Sequence, residues 1–233
     1  MSQKEFDYKL SLALIGEPST GKTNIFQRMR PFGAKYDWDN TIKPTMEIDF
    51  FIDSRQIEDQ SIKLIIWDMG AGLRWIRETF YKQVHGFLVV YDITNRESFE
   101  KMTKWIEKIK HINRGKEMMP QIILIGNKCD LEEERKVSYE EGRNLAEEYG
   151  LKFFEVSAKT SENIDFVLKM FKREEVAKAK AKTKKEEDDN KNGRGRLWRI
   201  NHQDHKESVQ SVFRICAGLF SAYILWDIFI LKK

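Results

Sequence analysis

Eight residues near the amino terminus have the composition and spacing of a phosphate-binding loop. They follow the apolar, alternating segment Leu10 to Ile15 and read Gly16-Glu17-Pro18-Ser19-Thr20-Gly21-Lys22-Thr23. The two glycines allow a turn tight enough to direct several backbone N–H groups at one anion. Lys22 adds a positive charge, and the Thr23 hydroxyl can bind a magnesium ion. The pattern predicts a site for a nucleoside triphosphate.

A second loop indicates which base the nucleotide carries. Asn127-Lys128-Cys129-Asp130 stands directly after a continuous apolar segment. The Asp130 carboxylate can accept hydrogen bonds from the N1 and N2 donors of guanine, a pair that adenine does not offer. A third loop, Ser157-Ala158-Lys159, follows the last strand-like segment. Ligands of open α/β sheets bind where the strands end, so the three loops are predicted to converge on one crevice.

The elements that position these loops alternate between strand and helix patterns. Six strands are predicted, at Tyr8–Ile15, Met46–Asp53, Ser61–Asp68, Gly86–Asp92, Gln121–Gly126 and Lys152–Ser157. Alternation with helical segments predicts an α/β fold with a six-stranded, mainly parallel sheet and helices on both faces. The fourth and fifth strands are continuously apolar and should be central. The second and third alternate and flank polar residues 54–60, which predicts one antiparallel hairpin at the sheet edge.

Helix starts and domain boundaries also have sequence signals. Thr94–Glu97 and Ser138–Glu141 both fit the capping box, and Trp105 in the first of these helices is interpreted as a packing residue. The last helix begins after Asn163, and the globular domain is predicted to cover residues 1–178. Residues 179–210 mix both charge signs with few large apolar side chains, as is typical of a flexible linker.

Composition excludes several classes of function. The net charge of +4 is the small difference between 41 basic and 37 acidic residues, so no global basic field favours nucleic acid. Two cysteines form no disulfide framework, which favours a reducing compartment. Residues 1–9 are charged and lack the apolar core of a secretory signal, so we expect a protein that starts in the cytosol.

On these motifs the chain resembles the Ras-superfamily small GTPases, over roughly Tyr8 to Lys178. Thr45-Met46-Glu47-Ile48-Asp49-Phe50 and Ile66-Trp67-Asp68 are similar to the Rab branch. The resemblance implies the P-loop small G-protein fold, GTP/GDP and Mg²⁺ as ligands, and a monomer. It implies effector, exchange-factor and GTPase-activating proteins as partners.

The resemblance also implies roles for single residues on the phosphate side. Lys22 would hold the β- and γ-phosphates, Thr23 and Thr45 would bind Mg²⁺, and Asp68 would hold the ion through water. The separation between Thr45 and Asp68 fits the Rab pattern, and Thr41 is the alternative switch threonine.

On the base side, the resemblance implies that Asn127 and Asp130 fix guanine. Lys128 would pack along the base, and Ala158 would offer it a backbone N–H. The aromatic residue that covers the base is expected at Tyr36, with Trp38 as the alternative.

The sequence departs from the family pattern where hydrolysis is concerned. The family pattern is Asp-x-Ala-Gly-Gln, and this chain has Asp68-Met69-Gly70-Ala71-Gly72-Leu73. One register places Ala71 at the γ-phosphate and Gly72 at the glutamine position, and a slip of one residue places Gly72 and Leu73 there. Neither supplies an amide to orient the attacking water, so slow hydrolysis is predicted. Pro18 removes a further backbone N–H from the phosphate loop.

Arg74 and Arg77 are charged residues that could substitute for the missing catalytic group by stabilising the negative charge that develops during hydrolysis. On a predicted switch helix they are interpreted as solvent or effector contacts.

The carboxyl-terminal segment, residues 211–233, is predicted to anchor the protein in a membrane. Ile215 to Leu231 is dominated by apolar and aromatic residues, although it includes Asp227. Four arginines precede the segment and two lysines follow it, a bias that keeps the globular domain on the cytoplasmic face. Alternatives are a helix lying in the membrane interface, or a helix that docks on a partner.

Two functions are consistent with these patterns. The first is a membrane-anchored, Rab-like GTP switch in vesicle and membrane trafficking. The second is a GTP-bound scaffold that recruits partners to a membrane with little or no turnover. A small-molecule kinase with a phosphate loop is disfavoured, because the guanine-reading loop would have no role in it.

Overall fold

The structure is a computed structural model that describes residues 6–30, 48–57, 60–70 and 78–191. The strands in these ranges are β1 (Tyr8–Ile15), β2 (Asp49–Ile57), β3 (Gln60–Asp68), β4 (Gly86–Asp92), β5 (Gln121–Asn127) and β6 (Lys152–Val156). The helices are α1 (Lys22–Arg28), α2 (Glu78–Gln83), α3 (Arg96–Glu100), α4 (Met102–Ile112), α5 (Tyr139–Tyr149) and α6 (Ile164–Lys191). Every predicted strand is present. Where the predicted and observed ends of a strand both lie within the described residues, they differ by a few residues at most.

The strands form one sheet in the order β2-β3-β1-β4-β5-β6. β2 pairs antiparallel with β3, and all other pairs are parallel. The predicted fold class is therefore confirmed, with the antiparallel strand at an edge. β4 and β5 lie inside the sheet and are buried along their whole length, as their continuous apolar sequences predict.

The β2–β3 hairpin is longer than its sequence suggests. Residues Ser54 to Ile57 continue β2 and pair with Lys63 to Gln60, so most of the segment predicted as a polar connection is strand. An edge strand tolerates polar side chains because it is covered less completely than a central one. Pairing with β3 satisfies the backbone groups of these residues, and this outweighs their low intrinsic preference for strands.

The helix predicted after Thr94 begins one residue later and is divided in two. Asn95 is the cap, and its side chain accepts a hydrogen bond from the Ser98 backbone N–H at 3.2 Å. Thr94 is instead engaged by Asp92, since its backbone N–H and hydroxyl both donate to Asp92 Oδ1 at 2.8 Å. The expected cap at Thr94 was wrong, and α3 and α4 meet at Lys101.

Helix α4 buries one face in the core. Met102, Ile106 and Ile109 are fully buried, and Trp105, interpreted from the sequence as a packing residue, is partly buried. In α5 the capping box is also confirmed, since Ser138 accepts from the Glu141 N–H and Glu141 accepts from the Ser138 N–H.

Helix α6 extends to Lys191, so the first residues of the predicted linker, 179–191, are helical. The chain divides into two compact units, with the boundary between Lys178 and Ala179. In the described part of the chain no helix has the length and apolar character needed to cross a membrane. The predicted anchor at 211–233 lies outside that part.

Candidate nucleotide site

The three loops singled out in the sequence lie together at the carboxyl ends of the parallel strands. The phosphate loop joins β1 to α1, the Asn127–Asp130 loop ends β5, and the Ser157–Lys159 loop follows β6. Asn127 connects them. Its Nδ2 donates to the Thr20 carbonyl oxygen at 2.8 Å, and its Oδ1 accepts from the Ala158 backbone N–H at 3.2 Å.

The phosphate loop has a backbone that requires both of its glycines. Gly16 has φ of 143°, and a Cβ there would lie 2.2 Å from the Val90 carbonyl oxygen. Gly21 has φ of 86°, and a Cβ there would lie 2.2 Å from Asn127 Nδ2. Gly21 is thus needed for the connection through Asn127. Ser19 adopts φ of 63°, a left-handed backbone conformation that residues other than glycine rarely take.

Lys22 is buried within this loop. Its Nζ donates to the Glu17 carbonyl oxygen at 2.7 Å. Burial lowers the pKa of Lys22 to about 8, against the opposing effects of Asp68 and Glu17. The amine is therefore still mostly charged at neutral pH while it is largely removed from water, which strengthens its attraction for a phosphate group.

Thr23 and Asp68 place two oxygens side by side. Thr23 Oγ1 donates to Asp68 Oδ2 at 2.5 Å, and the Gly70 N–H donates to Asp68 Oδ1 at 3.2 Å. Burial raises the pKa of the Asp68 carboxyl, and the hydrogen bonds from Thr23 and Gly70 oppose that shift. A hydroxyl and a buried carboxylate in contact are hard oxygen ligands of the kind that Mg²⁺ prefers, so these residues fit the ion.

The base-side loop is held by two side-chain contacts. The Ser157 hydroxyl donates to Asp130 Oδ1 at 2.6 Å and accepts from the Thr160 N–H at 3.0 Å. Lys128 Nζ forms an ion pair with Asp92 at 2.5 Å. Asp130 is thereby oriented, and Asp92 is a contact residue of the site that sequence patterns did not identify.

The Ala158–Lys159 backbone is fixed by α1. Arg28 Nε donates to the Ala158 carbonyl oxygen at 2.8 Å, and Arg28 Nη2 donates to that of Lys159 at 3.0 Å. The Ala158 N–H, which the family resemblance assigns to the base, donates to Asn127 Oδ1 in this structure.

Several predicted site residues lie outside the described part of the chain. They are Tyr36, Trp38, Thr41, Thr45, Ala71, Gly72, Leu73, Arg74 and Arg77.

Comparison with known proteins identifies the family to which this site belongs. The family model described as Ras family matches residues 11–177. The chain is 38% identical to the Ras-related protein Rab-13 of Bos taurus over 179 residues, which are 76% of this chain and 84% of that protein. It is 39% identical to human Ras-related protein Rab-3D over 170 residues, 72% of this chain and 74% of that one. The GTP-binding protein ypt2 of Schizosaccharomyces pombe is 36% identical over 176 residues, 75% of this chain and 84% of that protein.

The chain belongs to the Ras family. It is a Rab-like member, as its Thr45–Phe50 and Ile66–Asp68 segments suggest. Proteins of this family bind GTP or GDP with Mg²⁺, and the residues at the three loops of this Rab-like chain are chemically suited to both.

Proposed function

We propose that this protein is a guanine-nucleotide-dependent switch that acts in vesicle and membrane trafficking on the cytoplasmic face of an intracellular membrane. The observation that carries the proposal is the arrangement around Asn127, which joins the phosphate loop to the Ser157–Lys159 loop. Beside it, Thr23 and Asp68 form a pair of oxygens suited to Mg²⁺. Residues 1–178 would form the nucleotide-binding domain.

On the phosphate side, the Lys22 ammonium has three donors, so it would keep its hydrogen bond to the Glu17 carbonyl and donate the other two to the β- and γ-phosphates. Thr23, Thr45 and Asp68 would hold Mg²⁺, which when bound neutralises part of the phosphate charge. On the base side, Asp130 would accept from guanine N1 and N2. The hydrogen bond from Ser157 keeps its carboxylate oriented for that purpose.

Switching would arise from the two segments that flank the β2–β3 hairpin. Thr45 and the Asp68–Leu73 segment would contact the γ-phosphate and Mg²⁺ with GTP and release them with GDP. Strand β2 and the residue before it offer effectors an apolar surface, since Ile48 and Ile52 are 41% and 38% exposed. Phe50 lies on the same face of β2 by alternation, with its ring 4.9 Å from that of Trp67.

Hydrolysis would transfer the γ-phosphoryl group to water and yield GDP and phosphate. No glutamine lies between Asp68 and Leu73 to orient that water. We therefore expect an intrinsic rate below the order of 10⁻⁴ s⁻¹ that is typical of the family. The same absence favours the second candidate, a GTP-bound scaffold that recruits partners to a membrane and scarcely turns over.

Single-turnover hydrolysis of GTP distinguishes the two candidates. The full-length chain in detergent is loaded with GTP and followed with and without a cell extract, with Asp130→Asn as the control that should bind GTP more weakly. Acceleration by the extract to more than about 1 s⁻¹ would support the switch and exclude the scaffold. A rate that no extract accelerates would favour the scaffold, and failure to bind GTP would refute both.

We also propose that residues 211–233 anchor the protein, with residues 179–210 as the tether. Imaging compares the full-length protein with a version that lacks residues 215–233. The shortened protein should become diffuse, and unchanged membrane localisation would contradict the anchor.

A further inference from the structure

The Glu17 side chain ties the phosphate loop to helix α4. Trp105 Nε1 donates to Glu17 Oε1 at 3.1 Å, and Lys101 Nζ donates to Glu17 Oε2 at 3.2 Å. Each carboxylate oxygen thus has its own donor. Lys101 and Trp105 are four positions apart and lie on the same face at the start of α4. The Glu17 side chain is only 22% exposed, so both bonds are partly shielded from water.

The backbone of Glu17 carries this connection to the phosphate-binding amine. The Glu17 carbonyl oxygen accepts from Lys22 Nζ at 2.7 Å and from the Thr20 hydroxyl at 3.0 Å. That carbonyl belongs to the peptide that joins Glu17 to Pro18. A proline restricts the backbone of the residue before it, so fixing the Glu17 side chain also limits the directions that its carbonyl can take.

The contacts of Lys101 and Trp105 differ in strength. Lys101 also pairs with Glu97 at 2.6 Å, a contact at the surface, and these two carboxylates raise the pKa of Lys101. Because Lys101 is shared with Glu97 and its side chain is 37% exposed, its bond to Glu17 should be the weaker of the two. The Trp105 indole has one donor, and that donor goes to Glu17.

We propose that Trp105 and Lys101 are positioning residues for the phosphate half of the nucleotide. They act through the Glu17 carboxylate and its carbonyl on the place and orientation of Lys22. This inference rests on the proposed binding of guanine nucleotides, and it assigns to Trp105 a role beyond the packing that its sequence pattern indicates.

The test measures how much a β-phosphate adds to binding. The full-length chain and its variants are titrated with GDP and with GMP. The dissociation constant for GMP divided by that for GDP is the ratio that measures how much the β-phosphate adds to binding. Trp105→Phe removes the donor and keeps an aromatic ring, and Lys101→Met removes the charge and keeps the length. Lys104→Met is the matched control, because Lys104 is an exposed lysine of the same helix.

We expect Trp105→Phe to lower the ratio about tenfold, the change that one hydrogen bond to a charged group supports. Lys101→Met should lower it about threefold, and GMP affinity should stay within about twofold in both. Glu17→Gln should lower the ratio in the same way, and adding Trp105→Phe to it should lower the ratio less than in the wild-type background. An unchanged ratio in Trp105→Phe, or equal losses of GDP and GMP affinity, would overturn the proposal.

A second measurement needs no nucleotide. The rate of acylation of the Lys22 amine is measured by mass spectrometry of peptides. This rate should be several-fold higher in Trp105→Phe than in wild type, and unchanged in Lys104→Met. Equal acylation in all three proteins would overturn the proposal. A wild-type chain that binds neither GDP nor GMP would instead refute the proposed function, while the acylation rates would still decide the role of Trp105.

Discussion

Asn127 and Thr20 are joined by a hydrogen bond that spans 107 positions of the sequence. Asn127 Nδ2 donates to the Thr20 carbonyl oxygen at 2.8 Å, and Asn127 is almost fully buried. The residue that ends β5 therefore holds the phosphate loop directly. Through its Oδ1 it also holds Ala158, so one amide sets the relative positions of three loops.

The substitution Asn127→Asp should separate these loops. It preserves size but replaces the donor with an oxygen that faces the Thr20 carbonyl. We expect the free energy of unfolding to fall by about 2 kcal/mol, the cost of an unsatisfied buried polar group, and GDP affinity to fall at least about tenfold. Urea denaturation and GDP titration measure the two effects. Asn95→Asp is the control, because an aspartate caps α3 as well as an asparagine does.

Asp130 should decide between bases that differ in one amino group. Its carboxylate can accept from both N1 and N2 of guanine, whereas inosine has no N2 donor. Wild type should prefer GDP to inosine diphosphate by about tenfold or more, the range for one hydrogen bond to a charged group. Asp130→Asn should reduce that preference to about threefold or less. Competition titrations would contradict this reading if the variant kept the full preference.

The framework of the site was predictable from sequence because it depends on local signals. Strand patterns place Gly16, Asn127 and Ser157 at strand ends, and parallel strands bring those ends to one edge. The edge position of β2 followed from its alternating residues. These inferences need only the periodicity of apolar residues and the turn residues beside them, and both can be recognised within a few positions of the sequence.

Contacts between distant side chains could not be predicted. Trp105 and Glu17 meet only because of the way α4 packs on the sheet, and no spacing in the sequence encodes that approach. The cap of α3 was missed for a related reason. Thr94 has the right side chain, but Asp92 engages it, and this leaves the role to Asn95.

Ser19 should be a site of backbone strain within the phosphate loop. Its φ of 63° costs a residue with a Cβ about 1 kcal/mol, and the side chain is exposed, so glycine would lose little packing. Ser19→Gly should raise the free energy of unfolding by about 0.5 kcal/mol after the greater freedom of unfolded glycine is included. Ser19→Ala keeps the Cβ and should give no gain. Urea denaturation of the three proteins would refute the strain if alanine and glycine behaved alike.

Restoring a glutamine should recover hydrolysis if its absence is the cause of a slow rate. Gly72→Gln and Leu73→Gln test the two registers separately, and one of them should raise the single-turnover rate about tenfold or more, since orienting the attacking water is a large part of catalysis in this class. Gly72→Asn and Leu73→Asn are controls, because the same amide on a shorter side chain should not reach the water. No gain from either glutamine would contradict this explanation.

Cys129 should be a poor nucleophile although it lies within the guanine-side loop. Burial raises the pKa of its thiol to about 12, and the carboxylates of Glu162 and Glu155 add to the shift. A group whose pKa is raised in this way is almost entirely thiol at pH 8, whereas an ordinary cysteine with a pKa of about 8.5 is roughly one quarter thiolate. In a Cys216→Ser variant, where Cys129 is the remaining cysteine, alkylation by iodoacetamide at pH 8 should be at least about a hundredfold slower than in the urea-unfolded chain.

The rate of alkylation of Cys129 should rise about tenfold per pH unit between pH 7 and 10, because the thiolate fraction grows in that proportion below the pKa. Glu162→Gln should raise the rate, since it removes a negative charge from the neighbourhood of the sulfur, whose Sγ lies 3.7 Å from Glu162 Oε2. A plateau near pH 9 in the folded protein would show that the thiol titrates normally and that these carboxylates do not control it.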